Sequence, residues 1–149
     1  MTPGLRHMRS SWRIIIKKYT VILLSIIYIL VLAACGGDVS NVKVTAYQSE
    51  IYTDNEIQSA IKATEKYFKK YFSGCTLTEI THAGDDKTIS YIEWAERNNA
   101  DEVIVLTSSF DVDASGGDGS LNPNSTYTKW MWILVRNKGS RWKHVDHGY

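Results

Sequence analysis

The sequence predicts an α+β domain in which one long N-terminal helix packs on a curved, mostly antiparallel sheet. Three observations carry that expectation. A capped amphipathic run spans residues 52–74, a tryptophan-rich segment at 125–137 is apolar on both of its alternating faces, and the chain closes on a hairpin. Strands joined mainly by turns, with one dominant helix ahead of them, belong to the α+β class.

The helix is written most clearly. In "YTDNEIQSAIKATEKYFKKYFSG", Thr53 and Glu56 have the spacing of a capping box, and Tyr52 and Ile57 that of a hydrophobic staple. Ile57, Ala60, Ile61, Thr64, Phe68, Tyr71 and Phe72 recur at helical spacing, and Gly74 stops the run. Lys62, Lys66, Lys69 and Lys70 lie mostly off that stripe, as a solvated face or a partner patch would. "CTLTEITH" reads as a strand in which Leu77 and Ile80 alternate imperfectly, and "DKTISYIEWAERNN" as one short helix carrying Ile89, Ile92, Trp94 and Ala95. "DEVIVLTSSFDVD" is a strand with Ile104, Leu106, Phe110 and Val112 on one face. "STYTKWMWILVRN" sets Trp130, Trp132 and Leu134 against Met131, Ile133 and Val135, the pattern of an interior strand. "NKGS" is a hairpin turn, and "RWKHVDHGY" returns as the last strand. The general form resembles the cystatin-like and nuclear-transport-factor-like folds, which host enzymes and binding modules alike.

Ahead of this domain, residues 1–34 carry five basic residues and no acidic one, and "TVILLSIIYILVLAA" follows the last of the basic residues. That apolar run is fifteen residues long, short of the roughly 20 that span a bilayer. A positive head, a short apolar stretch and small residues at the exit form a signal peptide. Its end, "LAAC", resembles the lipobox of bacterial lipoproteins, in which the cysteine, here Cys35, receives a diacylglyceryl group and becomes the new N-terminus. Two or three acyl chains make such an anchor durable. The expected organisation is therefore 1–34 as a lipoprotein signal peptide, 35–49 as the lipidated cysteine and a tether, and 50–149 as a single domain. The expected location is the extracytoplasmic face of the cell membrane. Without the five basic residues of the head, twelve basic residues face sixteen acidic ones, a net charge of −4. That balance argues against nucleic acid as a partner and against electrostatic attachment to anionic lipid, and leaves an unknown envelope protein or ligand. With Cys35 lipidated, Cys75 has no disulfide partner and reads as a buried thiol.

At "FSGCTLTEI", "GGDGSLNPNSTYTKWMWILVR" and the closing "W…GY", over roughly residues 50–149, the chain resembles a family of small bacterial lipoproteins carrying the domain of unknown function 4829. The resemblance implies an extracytoplasmic lipoprotein of a Gram-positive bacterium with no assigned activity, and it carries over no catalytic residue.

Three functional readings follow. The first is a lipid-anchored, non-enzymatic binding or assembly domain, with Trp130, Trp132, Trp142 and His144 as a pocket for a sugar or a peptide; the same aromatics also suit a core. The second is a calcium-binding module in "DVDASGGDGSLN". Asp111, Asp113, Ser115 and Gly116 match the first, third, fifth and sixth positions of an EF-hand loop, and Asp118 offers another oxygen. Asn122 stands where that loop needs a bidentate glutamate, and a polar connection between strands explains the segment equally. The third is a small cavity enzyme, a hydrolase or isomerase, using His144 and Asp146 as an acid–base pair. Strict alternation puts those two on one face and sends His147 to the other.

Overall fold

Helix formation starts where the capping box is written. A computed structural model of the chain describes residues 17–20, 36–45 and 48–149. In it Thr53 caps helix α1 (Asp54–Tyr71), its side chain accepting from the Glu56 amide while the Glu56 carboxylate accepts from the Thr53 amide. Ile57, Ala60, Ile61, Thr64 and Phe68 form the buried face, and Tyr71, expected on the same stripe, is 53% exposed. The helix ends at Phe72, and Gly74 (φ +71) turns the chain into the first long strand. A Cβ at Gly74 would stand 2.8 Å from the Asp113 carboxylate, so both backbone and space demand glycine.

Five strands make one sheet in chain order: β1 (Lys43–Thr45), β2 (Cys75–His82), β3 (Glu102–Val112), β4 (Thr126–Arg136) and β5 (Lys143–Gly148). Strand β1 runs parallel to β2, with α1 as the crossover a parallel pair requires. The other three pairings are antiparallel. Two short helices, α2 (Asp85–Ser90) and α3 (Glu93–Arg97), contact β3 and β4.

The expected architecture is therefore corrected. The α+β character holds, but the sheet is mixed and several short helices join the long one, so the cystatin-like and nuclear-transport-factor-like comparison does not apply. The cause lies in β4, which is apolar on both faces. Trp132 and Leu134 pack in the larger core with α1, while Ile133 and Val135 pack with Val103 and Ala95 under Tyr91 and Trp94. Burying both sides of that strand takes a helical layer on each. The expected single helix at 86–99 is likewise two, and Ile89 and Ile92 are exposed rather than packed.

Part of the expected tether is also ordered into the fold. The Gly37 amide donates to the Lys69 carbonyl (3.1 Å), the Asp38 amide to the Cys75 carbonyl (2.8 Å) and the Leu77 amide to the Asp38 carbonyl (2.9 Å). Cys35 and residues 21–34 lie outside the described residues.

One irregularity recurs and decides which side chains meet. A β-bulge gives one strand an extra residue, so residues three apart share a face. Between Leu77 and Glu79 the register of β2 slips, and Leu77 and Ile80 both enter the core. On β4 the slip falls between Tyr127 and Trp130, around Lys129 (φ +58), and both aromatics pack on the α1 side. On β5 the slip is at Val145, so His144 pairs with Leu134 and His147 with Trp132, both partners being on the α1 side.

Candidate functional site

The last turn of α1, strands β4 and β5 and the 113–125 connection line a cleft of about 310 Å³. Tyr67, Tyr71, Phe72 and Ser73 line it from the helix end, and Gly117, Asp118, Ser120 and Leu121 from the connection. Trp130 and His147 complete the wall from the sheet, with Cys75 beside them. Tyr67 and Tyr71 are one helical turn apart and their ring centroids are 4.5 Å apart. Trp130 stands edge-on to Phe72 at 6.4 Å and to Tyr127 at 5.5 Å. Among the described residues the Trp130 Nε1–H is buried and has no hydrogen-bond partner. Buried donors are nearly always paired, so a ligand oxygen delivered here would satisfy a donor that the fold leaves open.

Behind this wall lies a histidine pair. His147 Nδ1 and His144 Nε2 are 3.0 Å apart, a hydrogen bond that needs one ring nitrogen protonated and the other bare. The His144 ring stacks on Tyr67 with centroids 3.8 Å apart. Burial, then the neighbouring His147, pushes the His144 imidazolium down from 6.5 to about 4, and burial also lowers His147. The pair is therefore neutral at pH 7. A folded-state pKa below the unfolded one means the unfolded chain takes up protons first as the pH falls. The stability due to neutral His144 is thus complete above pH 6.5 and is lost towards pH 4. Between pH 7 and pH 5 the unfolding free energy is expected to drop by about 1–2 kcal/mol, measured by urea titration. His144→Phe, which keeps a ring on Tyr67, is expected to flatten that slope, and an unchanged slope would refute the assignment.

The residues singled out in the sequence separate. Of the pocket set, Trp130 lines the cleft and His144 stands behind it. Trp132 is fully buried core, its Nε1–H donating to Ser108 Oγ at 2.8 Å. Trp142 packs against the other end of α1, donating to the Glu56 carbonyl at 3.1 Å. The expected facing of the last strand is corrected by its bulge. His144 and His147 share the α1 side, while Asp146 pairs with Ile133 on the opposite side and is exposed. Asp146 lines a smaller cleft of about 190 Å³ there, with Tyr91 and Trp94.

The calcium ligands do not converge. Asp111 accepts from Thr126 Oγ1 (2.6 Å), Asp113 from the amide and hydroxyl of Ser115, and Asp118 from the Ser120 amide (3.0 Å). Two of the three carboxylates close their own turns, and the third bonds across to the neighbouring strand. Among the described residues no group of three His, Cys, Asp or Glu side chains is placed to share an ion. Cys75 is buried, and burial with nearby Asp113 and Asp118 pushes its thiol up to about 11, so it stays protonated and unreactive.

Sequence reasoning missed Tyr67, Tyr71, Phe72 and His147 as cleft residues. The i, i+4 tyrosine pair beside a glycine stop was the available signal for the helix side. For His147 there was none, because period-2 reading cannot register a bulge. No family model, no curated protein and no solved structure matches the chain, so the cleft stands on its own residues.

Proposed function

We propose that this chain is a lipid-anchored, extracytoplasmic binding domain, and that the cleft at the C-terminal end of α1 is its ligand site. The observation that carries the reading is the open Trp130 Nε1–H in a wall of aromatic rings, with Asp118 and Ser120 across the same cleft. Rings that stack on an apolar face, beside a few donors and acceptors that fix orientation, suit a sugar or a peptide. The lipobox reading of "LAAC" supports placing that site outside the membrane. The Cys75 thiol is buried and held protonated, so it offers no thiolate nucleophile at the cleft.

The test is a thermal melt of residues 36–149, one compact unit, against a panel of envelope oligosaccharides and short peptides. A ligand at a hundred times its Kd adds about 2.7 kcal/mol, a shift of several degrees for a domain of this size. The shift is expected in the wild type and not in Trp130→Phe. Absence of any shift across both classes would refute the site.

A further inference from the structure

Lipoproteins are commonly pictured on a free tether, and a flexible chain over residues 35–49 would let the domain wander by about 20 Å. The start of this segment is not free. Gly36 and Gly37 lie against the last turn of α1 so closely that a Cβ on Gly36 would meet the Lys69 carbonyl oxygen at 2.2 Å. On Gly37 a Cβ would meet the Phe68 ring at 2.7 Å. The Gly37 amide caps the Lys69 carbonyl, one of the acceptors that a helix C-terminus leaves open. From Asp38 onward the strand pairs with β2. Gly36, fixed on the helix, is the residue next to Cys35 in the chain.

If residue 35 carries the acyl chains, the end of α1 is held within a side chain's length of the headgroups. Its exposed residues suit that position. Lys66, Lys69 and Lys70 are exposed together on the outer face of the helix, and Tyr71 is 53% exposed with the Lys70 ammonium 4.7 Å from its ring centre. Lysine and tyrosine are the side chains that settle at a membrane–water interface, and this local lysine cluster, held close by the anchor, is attracted to an anionic surface although the domain's net charge of −4 is not.

We propose that the outer face of the last turns of α1, with Lys66, Lys69 and Lys70 and beside the cleft rather than over it, is the face this domain holds against an anionic bilayer, fixed there by the docked Gly36–Gly37 strap. The inference rests on the lipid-anchored reading above, and the two fail differently.

The experiment uses the full-length lipoprotein, purified from a bacterial membrane and reconstituted into vesicles of phosphatidylglycerol and phosphatidylcholine that contain a headgroup-linked quencher. A fluorophore is placed on Lys70→Cys or on Ser140→Cys in the β4–β5 turn, near the opposite end of α1; Cys75 is buried and its thiol protonated. The Lys70 site is expected to be quenched several-fold more than the Ser140 site. Adding Lys66→Glu and Lys69→Glu is expected to reduce that difference. Equal quenching of the two sites in vesicle-bound protein would overturn the orientation and leave the anchor standing. A protein that fails to partition into vesicles, or a Cys35→Ala variant that stays in the membrane fraction, would overturn the anchor and the orientation with it.

Discussion

Arg136→Ala is expected to lower the unfolding free energy by about 3–4 kcal/mol, read as a fall in the urea midpoint with an unchanged slope. Arg136 ends β4 with its side chain only 8% exposed. Its Nε–H donates to Glu102 at 2.5 Å, an Nη2–H donates to Glu56, and the guanidinium lies 4.2 Å from the centre of the Trp142 ring. Glu56 is the same residue that closes the capping box, through its other oxygen. One carboxylate thus fastens the start of α1 to the end of β4, and removing the arginine strands two partly buried carboxylates. That penalty comes from orphaned charge more than from a lost contact. Arg136→Met combined with Glu56→Gln and Glu102→Gln is therefore expected to recover a large part of it. The pH profile separates this site from the histidine pair. Arg136, then the Thr53 amide, holds the Glu56 carboxyl down at about 2 against an ordinary 4.5. Its contribution is complete above pH 4.5 and is lost as the pH falls towards 2, below the window in which His144 acts. In Arg136→Met that lower acid limb is expected to shrink while the loss between pH 7 and pH 5 persists.

How much of this was legible depended on the regularity of each element. The capping box, the buried face of α1 apart from the exposed Tyr71, and the partition of Ile104 to Val112 and of Trp130 to Val135 between faces follow from period alone. Strand β3 is the regular case, with Ile104, Leu106, Phe110 and Val112 all in one core. The bulged strands are the opposite case. A single extra residue inverts everything beyond it, so strict alternation placed His147 away from His144 when they are hydrogen-bonded. Leu77 and Ile80, three apart and both apolar, carried the same signature in the sequence as an imperfect alternation. The short strand β1 was legible in the alternation of Val42 and Val44 with polar neighbours, but its parallel pairing with β2 was not, because three exposed residues carry no sign of which strand they join. Its ordering comes from backbone hydrogen bonds and from two glycines small enough to lie on α1.

The tryptophans give the sharpest division between scaffold and site. Trp132→Ala is expected to cost about 4 kcal/mol, since it empties a fully buried position and removes the partner of Ser108. Phe68 and Phe72 lose their ring contacts with it, at centroid distances of 6.2 and 5.2 Å. The informative comparison uses phenylalanine at both positions. Trp132→Phe leaves the buried Ser108 hydroxyl without its donor and is expected to cost about 2 kcal/mol. Trp130→Phe removes an N–H that has no partner among the described residues, so no hydrogen bond seen there is lost. Its cost is expected to stay near 1 kcal/mol or below, while the ligand-induced shift in melting temperature disappears. Equal destabilisation by the two changes would make Trp130 a part of the core like Trp132, and the open donor would then be a packing accident. A clear gap, with binding lost only in Trp130→Phe, would mean that of two tryptophans on the same face of β4 one serves stability and the other recognition.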